Sequence, residues 1–455
     1  MVNQKIMQTA VLDNLNEAMT MSLVGSVVET VGMTIAVADF PAPVGAIVQI
    51  KLDSGPGAEG EVIGFRNGLT LVYLLTATAG VRRGQRVRMV RTRRSLRVGM
   101  DLLGRVIDAR GQCIDGRPRP LLTDRVRQDR SPPPATERPR IRTPLATGVH
   151  AIDALLTCGQ GQRLGIFSGS GVGKSVILGM MSRYTNADVI VTGLIGERGR
   201  EVNDFLERDL GVDGLARSVV VVATSNEPAL TRMQAAFTAT AVAEYFRDQG
   251  KDVLLLMDSV TRFAMAQREI GLAAGEPPTT RGYPPSMFAL LPHLVERAGQ
   301  CRKGSITAFY TVLVEGDDEN EPVADTMRGL LDGHVWLSRK LAGRGHYPAI
   351  DVLTSISRLM KDITSEPHQQ AALTIRQLIA AYAEHEDLLS IGAYRRGSNR
   401  KVDAAVEMRD AIDGLLRQRI DTSLPFEKVV EQLVALAGQC QAKMNATTAA
   451  TPTSA

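Results

Sequence analysis

The period of the apolar positions changes three times along the chain. Over residues 1 to about 20 they recur as Met7, Val11, Leu15 and Met19. That is helical spacing with too narrow a stripe to fold alone, so the segment reads as a tail that docks on a partner helix, with a frayed terminus as the alternative. From 22 to 95 the period shortens. Apolar stretches at 26–28, 33–37, 46–52, 61–65, 69–74 and 86–90 are cut by Gly, Pro or Asp turns. Short strands at such spacing predict a small closed β-barrel. Residues 112–145 are rich in Pro, Arg and Asp, with Pro132, Pro133 and Pro134 in a row, and read as an extended connector.

From about 146 to 365 strand and helix signals alternate. Strands are expected at 163–167, 189–195, 218–223, 253–257 and 305–314, with a long helix over 229–248. Alternation of this kind predicts a mainly parallel sheet covered on both faces, an α/β domain. The run Val253, Leu254, Leu255, Leu256, Met257 is apolar throughout, as a central strand should be. After about 366 the pattern is helical. Ala371, Ile375, Leu378, Ile379 and Tyr382 share one face, and Ile412, Leu415, Leu416 and Ile420 another. Residues 446–455 are small and polar and are expected to be disordered. The expected divisions are thus a tail (1–21), a barrel (22–95), an α/β domain with its connector (96–365), a helical domain (366–445) and a terminal tail (446–455).

Composition narrows the class. The 455 residues suggest about three domains at roughly 150 each. No apolar run reaches the ~18 residues of a membrane-spanning helix, and the start lacks the pattern of a signal peptide. A cytoplasmic protein is expected. Cys113, Cys158, Cys301 and Cys440 are scattered, which argues against a zinc site or a disulfide framework. The net charge of +4 is too small to argue for nucleic acid. Eight arginines and no acid lie between Arg82 and Arg97. That run reads as a solvated strand face or a subunit contact, with a patch for nucleic acid or an acidic membrane surface as the sharper alternative. Aromatic residues for base stacking are missing there.

The candidate chemistry centres on Ser168, Gly169, Ser170, Gly171, Val172, Gly173, Lys174 and Ser175. The segment follows a strand and opens a helix, as a phosphate-binding loop requires. Its glycines turn backbone N–H groups onto phosphates. Lys174 then reaches the β and γ phosphates and the Ser175 hydroxyl is a Mg²⁺ ligand. Ser168 stands where the usual pattern has its first glycine. Asp258, at the end of the apolar strand, faces the crevice where ligands bind and would hold Mg²⁺ through water. Glu197, in Gly196, Glu197, Arg198, Gly199, Arg200, Glu201, is the candidate to polarise water, with a plain surface ion pair as the alternative. Arg198, Arg262 and Arg358 are candidates to neutralise phosphate charge. Arg358, near the boundary with the helical domain, projects from a rim into a neighbouring subunit or forms a structural salt bridge.

Together with Glu276, Pro277, Pro278, Thr279, Thr280, Arg281, Gly282, Tyr283, Pro284 and Pro285, and with His346 to Asp351, these motifs resemble the type III export ATPases. That family powers flagellar assembly and virulence secretion and is similar to the catalytic subunit of rotary ATP synthases. The likeness runs from about 22 to 440. It implies an N-terminal barrel, a RecA-like ATPase domain and a C-terminal helical domain in a homohexamer peripheral to an inner-membrane export apparatus. It implies that Gly169, Ser170, Gly171, Val172, Gly173, Lys174, Ser175 and Val176 bind ATP and that Glu197 activates water. Arg198 and Arg262 sit near the γ-phosphate, and Ser175, Glu201 and Asp258 order Mg²⁺. Tyr347 stacks on adenine, Tyr394 closes the same pocket, and Arg358 is the finger given by the neighbour. The partners implied are a regulatory stalk protein on residues 1–21, a central stalk, the export gate and chaperone–cargo complexes, with no nucleic acid. His293 and Trp336 stand where an Arg and an aliphatic residue are expected, and Trp336 reads as packing.

Export of flagellar components is the leading expectation, with virulence secretion as the alternative. A rotary synthase subunit and a hexameric RNA translocase are further alternatives. A rotary synthase usually divides the roles of Glu197 and Arg358 between two kinds of subunit, and only the arginine run supports the translocase.

Overall fold

The computed structural model describes residues 22–446 apart from 54, 56, 76–79, 315–317 and 319. The docking tail expected over 1–21 and the disordered tail expected over 446–455 thus lie outside the described residues, save for the helical backbone of residue 446.

Six strands close a barrel: β1 (Val24–Val31), β2 (Thr34–Ala38), β3 (Ile47–Ile50), β4 (Ala58–Arg66), β5 (Leu69–Leu74) and β6 (Arg86–Arg91), in the order β1-β2-β5-β4-β3-β6. Each strand sends alternate side chains inward. In β6 Val87 and Met89 are buried while Arg86, Arg88 and Arg91 are exposed, so these three arginines of the run belong to the barrel's outer face. The β4–β5 hairpin turns on Asn67 and Gly68, both with positive φ (51° and 76°), the backbone a two-residue turn needs to match strand twist.

The second domain is a sheet of β7 (Arg105–Asp108), β8 (Arg163–Ser168), β9 (Val189–Glu197), β10 (Ser218–Thr224), β11 (Asp252–Asp258), β12 (Ser305–Leu313), β13 (Gly333–Leu337) and β14 (Ile350–Ser357). Their order is β14-β13-β8-β12-β11-β9-β10-β7, with the short strand Gly299–Gln300 beside β12. All neighbours in this order are parallel except β13 and β14, which are antiparallel. Both faces are covered. In β11, Val253, Leu255 and Met257 join one core cluster and Leu254 and Leu256 the other. One cluster runs on without a break into the helices Glu366–Ser390 and Phe426–Ala446 through Ile375, Leu378 and Leu433. The barrel seats Tyr73 and Leu75 against Ala229, Leu230, Ala266 and Ile270 of two sheet-covering helices.

Three features depart from the sequence reading. The connector over 112–145 is not merely extended, since its Asp124–Arg127 pairs with Ser95–Val98, and ahead of it β7 joins the central sheet beside β10. β13 and β14 extend the sheet at its other edge. Ile420 does not share a helical face with Ile412, Leu415 and Leu416, because that helix ends at Leu416. There the chain turns so that Gln418 bonds Gly148 and His150 (2.8 Å each). Trp336 does pack, stacking on Phe167 with centroids 5.6 Å apart.

Candidate active site

The site forms where parallel strands end. After β8 the loop carries positive φ at Gly171 (79°) and Gly173 (91°), and Gly173 caps the helix Lys174–Tyr184. Ser168 needs no such freedom. It is the last residue of β8, extended between Leu313 and Leu337, which explains how a side chain stands where the pattern has glycine.

Lys174 reaches across to β11. Its Nζ bonds Asp258 Oδ1, and Glu197 Oε1 lies 3.7 Å away. Burial disfavours the Lys174 charge, but Asp258 and Glu197 outweigh it and raise its pKa. The Thr311 hydroxyl of the adjacent strand donates to Asp258 Oδ1 at 2.8 Å. Thr311 was not singled out in the sequence, because only the pairing of β11 with β12 brings it there.

Glu197 is aimed by a bulge. The β9–β10 register shifts between Ile195 and Glu197, at Gly196 with φ 70°, and such an irregularity redirects the following side chain. A Cβ on Gly196 would collide with that of Arg262, so glycine also lets the strand end approach the next helix. Burial, followed by the charge of Asp258, pushes the Glu197 carboxyl up to about 7, with Lys174 opposing. Glu201 shares a hydrogen bond with Glu197 that lowers its own pKa. Glu197 Oε1 is buried without a hydrogen-bond partner.

The arginines divide. Arg262 lies one turn into the helix Val260–Ala274, whose N-cap Ser259 accepts from the Arg262 N–H at 3.3 Å. Its Nε is buried without a hydrogen-bond partner, a donor in need of an acceptor beside Glu197 and Asp258. Arg198 is 79% exposed and pairs with Glu201 at 3.6 Å, so it reaches the cluster only through that carboxylate. Arg358 is elsewhere. Gly333 of β13 pairs with Ser357, and Leu337 with Ile350. Leu337 is level with Ser168, so the start of β14 lies at the phosphate-loop edge and Arg358 follows its far end. The seven steps of β14 span about 23 Å at ~3.3 Å per residue. Arg358 is exposed there, its guanidinium 3.4 Å from the Arg328 carbonyl oxygen.

Tyr347, just before β14, lies against Gly173 on a cleft of about 520 Å³. Val172, Val176 and Met180 line one side, and Gln418, Arg419, Ile420 and Asp421 the other. Tyr394 does not line this cleft. Its hydroxyl donates within its own hairpin, to Asn399 O at 2.9 Å and Asp403 Oδ1 at 3.1 Å, and its ring meets His385. The far wall comes instead from the turn 418–421, which carries no sequence motif.

The oxygen donors Ser175, Asp258 and Glu201 with the unpartnered Glu197 oxygen suit a hard cation that takes most of its other ligands from phosphate and water. Among the described residues no cluster of three or more His, Cys, Asp or Glu could hold a metal ion.

Residues 148–357 match the ATP synthase alpha/beta family, nucleotide-binding domain, and residues 364–435 match the T3SS EscN ATPase C-terminal domain. The chain is 49% identical over 416 residues to the flagellum-specific ATP synthase of Bacillus subtilis, covering 91% of this chain and 94% of the relative. It is 48% identical over 413 residues to the type 3 secretion system ATPase of Xanthomonas euvesicatoria, covering 90% and 93%. Among solved structures, the assembled ATPase EscN of the enteropathogenic E. coli type III secretion system superimposes with a TM-score of 0.87 at 44% identity, covering 91% of this chain and all of that one. EscN in complex with its central stalk EscO superimposes at 0.84.

Proposed function

The chain belongs to the type III export ATPases, P-loop enzymes that hydrolyse ATP, and from that premise we propose that it energises export of flagellar components as a ring of identical subunits. The observation that carries the site assignment is the convergence of Lys174, Asp258 and Glu197 at one sheet edge, beside a cleft floored by Tyr347.

In this reading ATP lays its adenine on Tyr347 and its phosphates over the N–H groups of 169–176. The phosphates draw Lys174 away from Asp258, and the freed carboxylate, with Ser175 and Glu201, would hold Mg²⁺, whose charge would offset that of the phosphates when bound. Glu197, as carboxylate, polarises the attacking water, and the unsatisfied Arg262 donor faces the γ-phosphate. Arg358, at the far sheet edge of its own chain, completes the neighbour's site as an arginine finger. The other partners of the proposal are a regulator on residues 1–21, a central stalk, the export gate and chaperone–cargo complexes. No described helix is long and apolar enough to cross a membrane.

The test is replacement of the chromosomal copy by Glu197→Gln in the source organism. Loss of extracellular flagellin with intact virulence-type secretion supports the proposal. Normal flagellin export with loss of virulence-type secretion assigns the chain to the latter system.

A further inference from the structure

β12 ends beside the carboxylate at the end of β11. Met257 pairs with Tyr310, so Asp258 and Thr311 come next on the two parallel strands and lean to the same face of the sheet. Tyr310 and Val312 belong to one core cluster and Phe309 to the other. Thr311 therefore stands on the Phe309 side, fully buried, where an apolar residue would pack.

A threonine hydroxyl carries one proton to donate. Two acceptors are in reach, Asp258 Oδ1 at 2.8 Å and the Met257 carbonyl oxygen at 3.3 Å. The nearer is a carboxylate, and a hydrogen bond to a carboxylate is the stronger, so the proton goes to Asp258. A second bond fastens the same segment to β12: the Leu313 N–H donates to the Thr261 hydroxyl at 2.8 Å. Lys174 also donates to Asp258 Oδ1. The two side-chain donors thus converge on one oxygen, which leaves Oδ2 for a cation. They differ in freedom. Lys174 carries its charge on a flexible four-carbon stem, whereas the Thr311 hydroxyl sits on the Cβ of a buried strand and is stiff at χ1.

We propose that Thr311 is a positioning residue for the cation of the ATP site. Once Lys174 turns to phosphate, the Thr311 hydroxyl keeps Asp258 Oδ1 in place and so keeps Oδ2 aimed at the cation. The inference rests on the reading of Asp258 as a cation ligand. Hydrogen bonds that hold a metal-binding carboxylate typically contribute about 10–100-fold to metal affinity. A hydroxyl that needed only an acceptor would find one in the Met257 carbonyl, and cation binding would not depend on it.

The test reads binding rather than turnover, with the full chain and the non-hydrolysable fluorescent nucleotide mant-AMPPNP. Its Kd is measured in EDTA and in Mg²⁺, and the ratio of the two is the contribution of the cation. Binding in EDTA also shows that each variant is folded. Thr311→Val removes the hydroxyl at nearly constant shape, Thr311→Ala removes it without placing a methyl against Asp258, and Thr311→Ser keeps it. The ratio should fall at least about tenfold in Thr311→Val and Thr311→Ala and stay near the parent's value in Thr311→Ser. Asp258→Asn should lower it at least as far as Thr311→Val. A ratio lowered by Asp258→Asn but kept by either variant without the hydroxyl overturns the proposal and leaves Asp258 as a cation ligand. A ratio that Asp258→Asn does not lower overturns the reading of Asp258, and the proposal with it. An equal loss in Thr311→Ser and Thr311→Val also overturns the proposal, since the hydroxyl is then not what matters.

Discussion

Lys174 and Asp258, 84 residues apart in sequence, form an ion pair across the mouth of the phosphate loop. On the proposed reading Lys174 is held where the phosphates lie, and their arrival releases it from Asp258. Asp258→Asn removes the lysine's counter-charge and, on the proposed reading, the cation ligand as well. ATPase assays across a Mg²⁺ titration should show a higher Mg²⁺ requirement and a turnover at least about a hundredfold lower, the loss expected when preorganised charge stabilisation is removed.

Glu197 gives a prediction in pH. Its folded pKa of about 7 stands above the ordinary 4.5. Its contribution to stability is therefore fully present below about 4.5 and is lost as pH rises through about 7. On the proposed reading activity has the opposite sign, since the carboxylate is then the working form. In the free enzyme kcat/KM should climb with pH through about 7. Glu197→Gln should still bind ATP, lose about 10²-fold or more in turnover and lack that ascending limb.

Tyr347 is exposed on the cleft that receives adenine in this account. Tyr347→Ala should raise KM for ATP by about five- to a hundredfold, since stacking of a base on an aromatic ring contributes about 1–3 kcal/mol. The effect on kcat should be smaller, and Tyr347→Phe should be near neutral. Steady-state kinetics of the two variants separate stacking from a role of the hydroxyl.

Away from the site, Arg297 and Glu244 form a bidentate pair at 2.9 and 2.8 Å, both side chains at most 1% exposed, and Arg297 also donates to the Gln128 carbonyl. Glu244→Gln leaves a buried guanidinium uncompensated and should cost about 3–5 kcal/mol. Replacing both residues by Leu should recover most of that. Urea unfolding of the three proteins checks both parts.

What could be read from the sequence follows physical locality. The barrel strands were legible because one face is core and the other solvent, as Val87 and Met89 against Arg86 and Arg88 show. β11 was legible because both of its faces are buried. β13 and β14 were not: they are the last two strands at one side of the sheet, β14 its edge, and His334, Asp351, Thr354 and Ser355 interrupt the apolar run. The phosphate loop was legible because its chemistry lies within eight consecutive residues. The far wall of the cleft beside Tyr347 was not, since Gln418 to Asp421 arrive there only through the packing of the helical domain. Nor was the setting of Tyr394, whose hydroxyl is bonded inside its own hairpin.

The central claim is that each ATP site is completed by a neighbouring chain. Arg358 lies at the opposite edge of the sheet from Lys174 of its own chain, so the two are expected to meet only across an interface. Arg358→Ala should bind ATP and assemble, yet lose about 10³–10⁵ in turnover, the range for an arginine finger. The direct measurement mixes this inactive variant with inactive Lys174→Ala, verifies co-assembly by differently labelled subunits, and follows phosphate release. The account predicts that the mixture recovers activity that neither protein has alone, because some interfaces pair an intact Lys174 with an intact Arg358. A co-assembled mixture that stays as inactive as its parts at every ratio would contradict it.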